Sequence, residues 1–425
     1  MLGAIVEVAL VETGDRTARE RWQHSQLRNL LKHARERSAF WRKRLAGKSA
    51  SELEALPALT RRELIEQVGA EGCLLSKQDG IQVEQNATSG SSGTPVTFFV
   101  SAVNAQYNIV RSAAQYFIEG RDISLNRTRL TETYKPHTAK GISVDRSASW
   151  LGPLSTLFKS GANRRIDYRV ADVGKLAAEL QKQDVGYLVC PPRILESIFS
   201  HESAEFLKQA KTRMWICVNE GASPDLLKTF SRLQIPVRSA YSAEEVGAIG
   251  FECPTHAGHF HIASSNVLVE TDTASYEVGE TRVGRLLVTH LHSYATPFIR
   301  YDLGDLGCLR SSCPCGHDGP TLYNLFGRQS ALLKHADGRL SPFHIRSAEL
   351  IPLAEFTEFK IRQTALDKIV VEIGGRTELA PKEFEALHDL FKKRAGAEFT
   401  IDIRPCREIE WGEGRKWLGF RCEIA

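Results

Sequence analysis

The chain has 425 residues, of which 42% are hydrophobic and 25% are charged. This composition excludes collagen-like, fibrous and wholly disordered proteins, and the length favours a large and a small unit over one small domain. The 55 basic and 51 acidic residues leave a net charge of +4, too weak to indicate nucleic-acid binding, so we expect a small-molecule partner.

The start of the chain is apolar but does not resemble a targeting segment. Residues 1–11 are interrupted by Glu7, and neither a basic start nor a small-residue cleavage site accompanies them, so we expect no signal peptide. No apolar run approaches the roughly 20 residues of a membrane-spanning helix. Nine cysteines, an odd number, argue against a full disulfide framework. We therefore expect a cytoplasmic protein with no membrane partner.

The first predicted elements are helices. Apolar residues recur at helical spacing from Thr17 to Leu45, which predicts one or two amphipathic surface helices. Thr60 and Glu63 then have the spacing of a capping box, which predicts the start of a further helix.

From about Gly80 short apolar runs alternate with amphipathic stretches. The runs predict buried strands and the stretches predict helices, an alternation typical of an α/β domain with a largely parallel sheet. The strands are expected at 186–192, 213–219 and 236–242, and the helices at 194–210 and 224–233. A β-rich pattern follows from Glu270 to Arg300.

The pattern of apolar and polar residues changes again after Arg328. Residues 335–340 predict a hairpin turn, 356–375 two strands, and 381–395 an amphipathic helix. We place a domain boundary here, so that residues 1–328 form the large unit and residues 329–425 the small one.

The segment Thr88–Pro95 (TSGSSGTP) consists almost entirely of Gly, Ser and Thr. Glycines let a backbone approach a ligand closely, and successive N–H groups with added hydroxyls bind anions. The segment lacks the Lys-Ser/Thr of a Walker A loop and the spacing of a nucleophile elbow. It predicts a polyphosphate site, with a flexible Ser/Gly linker as the alternative.

This loop resembles the phosphate loop of the adenylate-forming (ANL) enzymes, which include the acyl-CoA synthetases. Three further elements resemble family motifs in the family's order. Tyr241–Glu245 resembles the adenine- and magnesium-contacting element, Arg300–Asp305 the RYRTGD element, and Gly327–Arg328 the Gly-Arg before the interdomain hinge. Chain length, the position of the loop and a Cys-x-Cys-Gly element are similar to the phenylacetate–CoA ligase branch.

The resemblance implies a fold and a reaction. The fold is α/β, with a large N-terminal domain of mainly parallel sheets plus a β-rich subdomain, and a small, mobile α+β C-terminal domain. The reaction is ATP-dependent activation of an aromatic or heteroaromatic carboxylic acid as acyl-AMP, followed by transfer to CoA or another thiol. Two alternatives stay open, transfer to an acyl carrier protein or an amine without CoA, and a non-catalytic nucleotide-binding relative. Whether the chain forms a homodimer is also open.

The resemblance also implies roles for individual residues. Glu245 is expected to bind Mg²⁺ and to be catalytic, while Asp305 and Arg328 hold the ribose. Lys416 is the candidate catalytic lysine, with Arg415 as the alternative contact of the α-phosphate, because Arg415 separates Lys416 from the glycine that directly precedes the family's lysine. The other expected ATP-binding residues are Thr88, Ser89, Gly90, Ser91, Ser92, Gly93 and Thr94 at the phosphates, and Gly221, Ala222, Ser223, Tyr241 and Ser242 at the adenine.

The acid is expected to lie between the phosphate loop and the Tyr241 segment, in a pocket lined partly by residues 105–153. The segment Thr131–His137 is polar. If it lines the pocket, the acid carries hydroxyl, amino or heterocyclic groups, because buried polar groups need partners.

Cysteine and histidine cluster in two short segments. The first holds Cys253, His256, His259 and His261, and the second holds Cys308, Cys313, Cys315 and His317. Tetrahedral zinc needs four such ligands, and a Cys-x-Cys pair can supply two. We expect Cys253, His259, Cys313 and Cys315 to bind a structural zinc ion, as in parts of the branch that the chain resembles. His261 is the alternative to His259, since residues two apart on a strand share a face.

Overall fold

Helices and strands alternate along most of the chain, as the sequence predicts. The computed structural model describes residues 1–68, 73–88, 96–131, 142–167, 173–199, 202–272, 276–343, 345, 347–410 and 420–424. The chain divides into two units. The first comprises residues 1–14, 107–242 and 248–263, and the second comprises residues 15–106, 243–247 and 264–425.

The helices of the described residues are mostly short. They are α1 (Leu2–Thr13), α2 (Arg16–Arg37), α3 (Ala39–Arg44), α4 (Arg61–Glu63), α5 (Ala102–Ile118), α6 (Val173–Gln181), α7 (Pro192–Phe199), α8 (Phe206–Gln209), α9 (Pro224–Leu233), α10 (Ser347–Leu350) and α11 (Pro381–Ala395). None of these helices combines the length and the apolar character that crossing a membrane requires.

The strands of the described residues range from two to ten residues in length. They are β1 (Val83–Ala87), β2 (Thr97–Ser101), β3 (Arg127–Thr131), β4 (Val144–Ser147), β5 (Asn163–Asp167), β6 (Gly186–Cys190), β7 (Thr212–Cys217), β8 (Val237–Ala243), β9 (Gly247–Glu252), β10 (Phe260–Ile262), β11 (Val267–Thr271), β12 (Tyr276–Val278), β13 (Thr281–His290), β14 (Tyr301–Arg310), β15 (Thr321–Arg328), β16 (Leu332–Lys334), β17 (Leu340–Pro342), β18 (Glu358–Ala365), β19 (Lys368–Gly374), β20 (Thr400–Cys406) and β21 (Arg421–Cys422).

A mainly parallel sheet forms the centre of the first unit. Its strand order is β4-β5-β3-β6-β7-β8-β9-β10, in which β5, β3, β6, β7 and β8 run parallel and β4 is an antiparallel edge. Parallel strands that are covered on both faces are short and apolar, and all five residues of β6 are buried. The strands predicted at 186–192, 213–219 and 236–242 are confirmed as β6, β7 and β8.

Strand β6 starts at a position that requires glycine. Gly186 has a φ of +64°, and a Cβ atom there would lie 2.2 Å from the carbonyl oxygen of Asn126. The next residue, Tyr187, donates its backbone N–H to that same oxygen at 2.8 Å. The close approach sets β6 in register beside β3.

Helix α9 forms over the residues predicted for it, 224–233. Ser223 accepts a hydrogen bond from the backbone of Leu226 and caps the first turn, and Gln234 ends the helix in the left-handed conformation at φ +56°. Leu226, Phe230 and Leu233 recur at helical spacing and pack into the core on one face of the sheet.

The prediction of a single helix over 194–210 is wrong, because two helices form there. Helix α7 ends at Phe199 and α8 begins at Phe206. Between them the Ser203 hydroxyl accepts a hydrogen bond from the backbone of Glu205 at 3.4 Å. Such side-chain bonds compete with helical hydrogen bonding.

The second unit begins with helices and continues as a largely antiparallel sheet. Helices α2 and α3 confirm the prediction for Thr17–Leu45, and Asp15 and Ser38 cap them. Strands β1 and β2 form a hairpin. The larger sheet has the order β16-β17-β12-β13-β14-β15, with β11 also paired to β13, and includes the predicted β-rich stretch.

The last part of the second unit has a separate four-stranded sheet of order β20-β19-β18-β21. Helix α11 covers it, with Leu387 and Phe391 in one buried core with Ile361 and Val371. The predicted hairpin, strand pair and helix are confirmed as β16–β17, β18–β19 and α11. This α+β arrangement matches the fold expected of the C-terminal region, and the boundary between residues 328 and 329 stays a prediction.

We predict that Trp215→Ala lowers the free energy of unfolding by about 3–5 kcal/mol. Trp215 is fully buried, its ring stacks on Phe230 with centroids 4.5 Å apart, and its indole N–H donates to the carbonyl of Cys190 at 3.0 Å. The control is Phe384→Ala, whose side chain is 43% exposed and which should change stability by less than about 0.5 kcal/mol. Urea unfolding followed by circular dichroism measures both, and equal losses would contradict the prediction.

Candidate functional site

The segment before helix α4 lies along the start of β14. Leu59 donates its backbone N–H to the carbonyl of Arg300 at 2.8 Å and accepts from the N–H of Asp302 at 3.0 Å. The predicted capping box follows at once: the Glu63 N–H donates to the Thr60 hydroxyl at 3.2 Å, and the Thr60 N–H donates to the Glu63 carboxylate at 2.9 Å. The first residue of α4 is therefore held beside β14.

That first residue, Arg61, connects two of the predicted site residues. Its Nη2 donates to the Thr88 hydroxyl at 3.0 Å, and its Nη1 lies 3.9 Å from Oε1 of Glu245. The phenol of Tyr301 donates to the same Glu245 oxygen at 3.3 Å. The base of the phosphate loop and the expected magnesium ligand thus share one guanidinium.

Thr88 closes the base of the glycine- and serine-rich loop. Its backbone N–H donates to the carbonyl of Val96 at 2.9 Å, and the Val96 N–H donates to the Thr88 hydroxyl at 3.0 Å. With Arg61 as the second donor, both lone pairs of this hydroxyl are used, and its remaining capacity is to donate its own hydrogen. A phosphate oxygen is a fitting acceptor. Residues 89–94 of the loop lie outside the described residues.

Glu245 and Tyr301 are both buried. Burial raises the pKa of Tyr301 well above its ordinary value, and the negative charge of Glu245 raises it further. The phenol therefore stays protonated and donates to the carboxylate at physiological pH. Glu245 keeps its second oxygen as a hard ligand of the kind that Mg²⁺ takes.

Arg61 is a candidate functional residue that the sequence interpretation missed. The capping box indicated only that a helix begins at Thr60. The available sequence signal was an arginine at the first helical position. The neighbouring capping residue Thr60 fixes the position of this arginine. Its partners, however, are 27 and 184 residues away in the chain.

Asp305 and Arg328, the expected ribose ligands, are brought together by strand pairing. They are direct partners in the antiparallel register of β14 and β15. The other aspartate of the element, Asp302, is engaged elsewhere: it accepts from Arg285 at 2.9 Å and from the N–H of Gly304 at 2.9 Å. The second aspartate is therefore the one that lies opposite Arg328, as the family motif implies.

Arg300 has a structural role at the start of the same element. It is buried with a φ of +51°, and its guanidinium donates to the carbonyl of Glu54 at 2.7 Å and to Glu270 at 3.2 Å. Burial raises the pKa of Glu270, which the Arg300 charge opposes. Arg300 thus fixes the backbone from which Tyr301 and Asp302 extend.

The expected adenine-side residues lie in the first unit, after β7 and at the end of β8. Gly221 and Ala222 form the turn that leads to Ser223, whose hydroxyl donates to Glu196 at 2.8 Å while it caps α9. The half-buried ring of Tyr241 lies 6.4 Å from that of Phe260, and Ser242 beside it is exposed. Lys416 and Arg415 lie outside the described residues.

Cys253, the first expected zinc ligand, lies just after β9. Its backbone N–H donates to the carbonyl of His259 at 2.7 Å, which closes the hairpin to β10. Burial raises the pKa of the Cys253 thiol, but hydrogen bonds from Thr255 and His256 outweigh it and bring the value to about 6. A thiol with this pKa is readily available as a thiolate ligand.

The described residues contain two pairs of possible metal ligands in this part of the chain. In the first unit the ligand atoms of Cys253 and His261 lie within 4.8 Å of each other, and in the second unit those of Cys313 and Cys315 do. His261, the alternative named from the sequence, takes the place expected for His259. The carbonyl of His259 closes the hairpin before β10, whereas His261 lies within that strand, opposite Phe251.

Solved structures of 2-hydroxyisobutyryl-CoA ligase share the fold of this chain. One, in the postadenylation state in complex with 2-HIB-AMP, is 15% identical with a TM-score of 0.65, over 97% of this chain and 91% of that chain. Another, in complex with 2-HIB-AMP and CoA in the thioesterification state, is 15% identical with a TM-score of 0.59, over 97% and 92%. No protein-family model and no curated protein matches the chain. This likeness confirms the predicted fold, while function has to be argued from the site.

Proposed function

We propose that the chain is an AMP-forming ligase that activates a carboxylic acid with ATP and passes the acyl group to CoA or another thiol. The observation that carries the proposal is the junction of Arg61, Thr88 and Glu245 described above. A cation, a hydroxyl donor and a buried carboxylate meet at the base of a Gly/Ser/Thr loop. These are the groups that phosphoryl chemistry uses for binding and charge stabilisation.

Each residue of the junction has a role in this reaction. Bound ATP and Mg²⁺ supply the activated phosphate and neutralise part of its charge. The Thr88 hydroxyl donates to a phosphate oxygen, and Glu245 provides an oxygen ligand for the cation. Arg61 orients both groups, and Tyr301 keeps the Glu245 carboxylate in position. Asp305 and Arg328 hold the ribose, and Lys416 or Arg415 contacts the α-phosphate.

The proposal extends to the identity of the acyl acceptor and to the class of the acid. CoA is favoured as acceptor because the 2-hydroxyisobutyryl-CoA ligase of the same fold is seen with an acyl adenylate and CoA. An aromatic or heteroaromatic acid is supported by a cavity in the first unit whose lining includes Tyr116, Trp150 and Tyr187. The phenylacetate–CoA ligase branch, the cytoplasmic location and a homodimer stay predictions from the sequence.

We also propose that Cys253, His261, Cys313 and Cys315 bind a structural zinc ion. Three thiolates and one imidazole form a closed tetrahedral donor set that leaves no position for a substrate. At Zn–S distances of about 2.3 Å, tetrahedral thiolates lie about 3.8 Å apart. The spacing of up to 4.8 Å within each pair, Cys253 with His261 and Cys313 with Cys315, needs only small side-chain adjustments to meet this geometry.

We predict that Arg61→Ala lowers kcat/KM for ATP by about 10- to 100-fold, because a charge-assisted interaction is worth about 1.5–3 kcal/mol. The measurement is ATP–pyrophosphate exchange over a panel of aromatic acids. Arg62→Ala is the matched control, since this neighbouring arginine is exposed. Equal effects of the two substitutions would contradict the role of Arg61, and absence of exchange with every acid would contradict the ligase proposal itself.

We predict about one equivalent of zinc per chain in protein purified without added metal, as expected of a closed structural site. Cys315→Ser should bring the zinc content below about half an equivalent. The control is Cys308→Ser, since the Cys308 thiol donates to the carbonyl of Arg282 at 3.3 Å and is not in the metal-binding group. Mass spectrometry of the metal content decides the matter: wild-type protein without zinc, or equal loss in both variants, would overturn the assignment.

A further inference from the structure

One face of the parallel sheet in the first unit carries arginines. Alternate residues of a strand point to the same face, so Arg127 and Arg129 of β3 share one. The strand registers align Arg129 with Val189 of β6, Val189 with Ile216 of β7, and Ile216 with Arg238 of β8. The row thus has a guanidinium at each end and an apolar floor between them, about 14 Å across at three interstrand spacings.

A cavity of about 170 Å³ lies over this face. Helix α5 and the segment around Trp150 form its other walls, with Tyr116 and Trp150 in edge-to-face contact at 5.0 Å. Drug-sized ligands occupy pockets of roughly 300–1,000 Å³. This cavity therefore admits a small molecule with a flat or apolar middle.

The lining of the cavity is strongly cationic. It includes four arginines, Arg121, Arg127, Arg129 and Arg238, and no aspartate or glutamate. Arg121 pairs with Glu119. The other three have neutral partners or none within the described part of the chain: Arg127 donates to the amide oxygen of Asn163 at 3.1 Å, and Arg238 donates to the carbonyl of Val237 at 2.8 Å.

The arginines at this end of the cavity are close enough to affect one another. Burial lowers the pKa of Arg127, which is half-buried, and the charge of the neighbouring Arg165 contributes to lowering the pKa of Arg129, which is exposed. Arg165 is the direct partner of Arg129 in the register of β5 and β3. Arginine nevertheless stays protonated in proteins. Asp145 of β4 is the other register partner of Arg165. Arg127 and Arg129 have no carboxylate beside them in the lining of the cavity, and a bound anion would stabilise these two like charges.

We infer that the acid activated by this chain carries a second anionic group, which Arg127 and Arg129 bind at the end of the cavity opposite Arg238. The inference rests on the proposed ligase function. Strand β8 continues from Arg238 through Ser239 and Ala240, which also line the cavity, to Tyr241 of the expected adenine site. The Arg238 end is therefore the end for the reacting carboxylate, and the β3 end holds the distal carboxylate, sulfonate or phosphate.

An anion at this position has a second source, the phosphates of CoA. The acid is favoured because the floor of Val189 and Ile216 and the rings of Tyr116 and Trp150 enclose a small apolar body between the charges. Such a body matches the middle of an aromatic diacid.

The test compares benzoate with two dianionic probes, 3-sulfobenzoate and benzene-1,3-dicarboxylate, by titration calorimetry. Wild-type protein should bind the dianions at least about tenfold more tightly than benzoate. This difference in affinity corresponds to the free energy of one charge-assisted contact. Arg129→Gln should remove this preference while benzoate affinity stays within about twofold, and Arg129→Lys should restore part of it. The control, Arg232→Gln on the exposed side of α9, should match wild type.

Equal affinity of wild type for all three probes, no binding of any, or equal weakening of all three by Arg129→Gln would overturn the inference. ATP–pyrophosphate exchange separates it from the proposed function. Arginine-dependent binding without exchange supports the charged cavity and contradicts the ligase. Exchange with 3-sulfobenzoate and benzene-1,3-dicarboxylate that is unaffected by Arg129→Gln supports the ligase and contradicts the charged cavity. A higher KM for CoA but not for dephospho-CoA in Arg129→Gln would assign the arginines to CoA and also overturn it.

Discussion

The contacts of the Arg61 guanidinium hold the candidate phosphate site together. It bonds to Thr88 at the base of the loop and lies 3.9 Å from Glu245, two groups that are far apart in the chain. Its position follows from short-range forces, the strand-like pairing of Leu59 with Tyr301 and the capping box of Thr60. An arginine holds such a junction better than a lysine because its planar fork presents several donors at once.

Much of the fold could be predicted because the signals are local. Buried parallel strands such as β6 are short apolar runs, and the apolar residues of α9 and α11 recur at helical spacing. The prediction of one helix over 194–210 was wrong for a local reason too, since the Ser203 side chain bonds to the backbone of Glu205 and competes with helical hydrogen bonding. Sheet order and register could not be predicted, because they depend on contacts between distant segments.

The residues of the candidate site likewise differ in whether they could be predicted from local signals in the sequence. The order of motifs led to Asp305 and Arg328, which strand register then placed opposite each other. Arg61 was missed because its partners are set by tertiary packing. His259 and His261 could not be separated by spacing, and only the position of the hairpin turn distinguishes them. The sequence does not indicate that the arginines of β3 line a cavity, because only the register of the sheet places Arg238 of β8 on the same face.

The first step of the proposed reaction is attack of a carboxylate oxygen of the acid on the α-phosphate of ATP. The most direct measurement follows that oxygen. The acid is labelled with ¹⁸O in its carboxylate, and after turnover with ATP and CoA the products are analysed by mass spectrometry. Attack on the α-phosphate gives AMP that carries one ¹⁸O atom, together with pyrophosphate. Unlabelled AMP, or ADP with labelled inorganic phosphate, would contradict it.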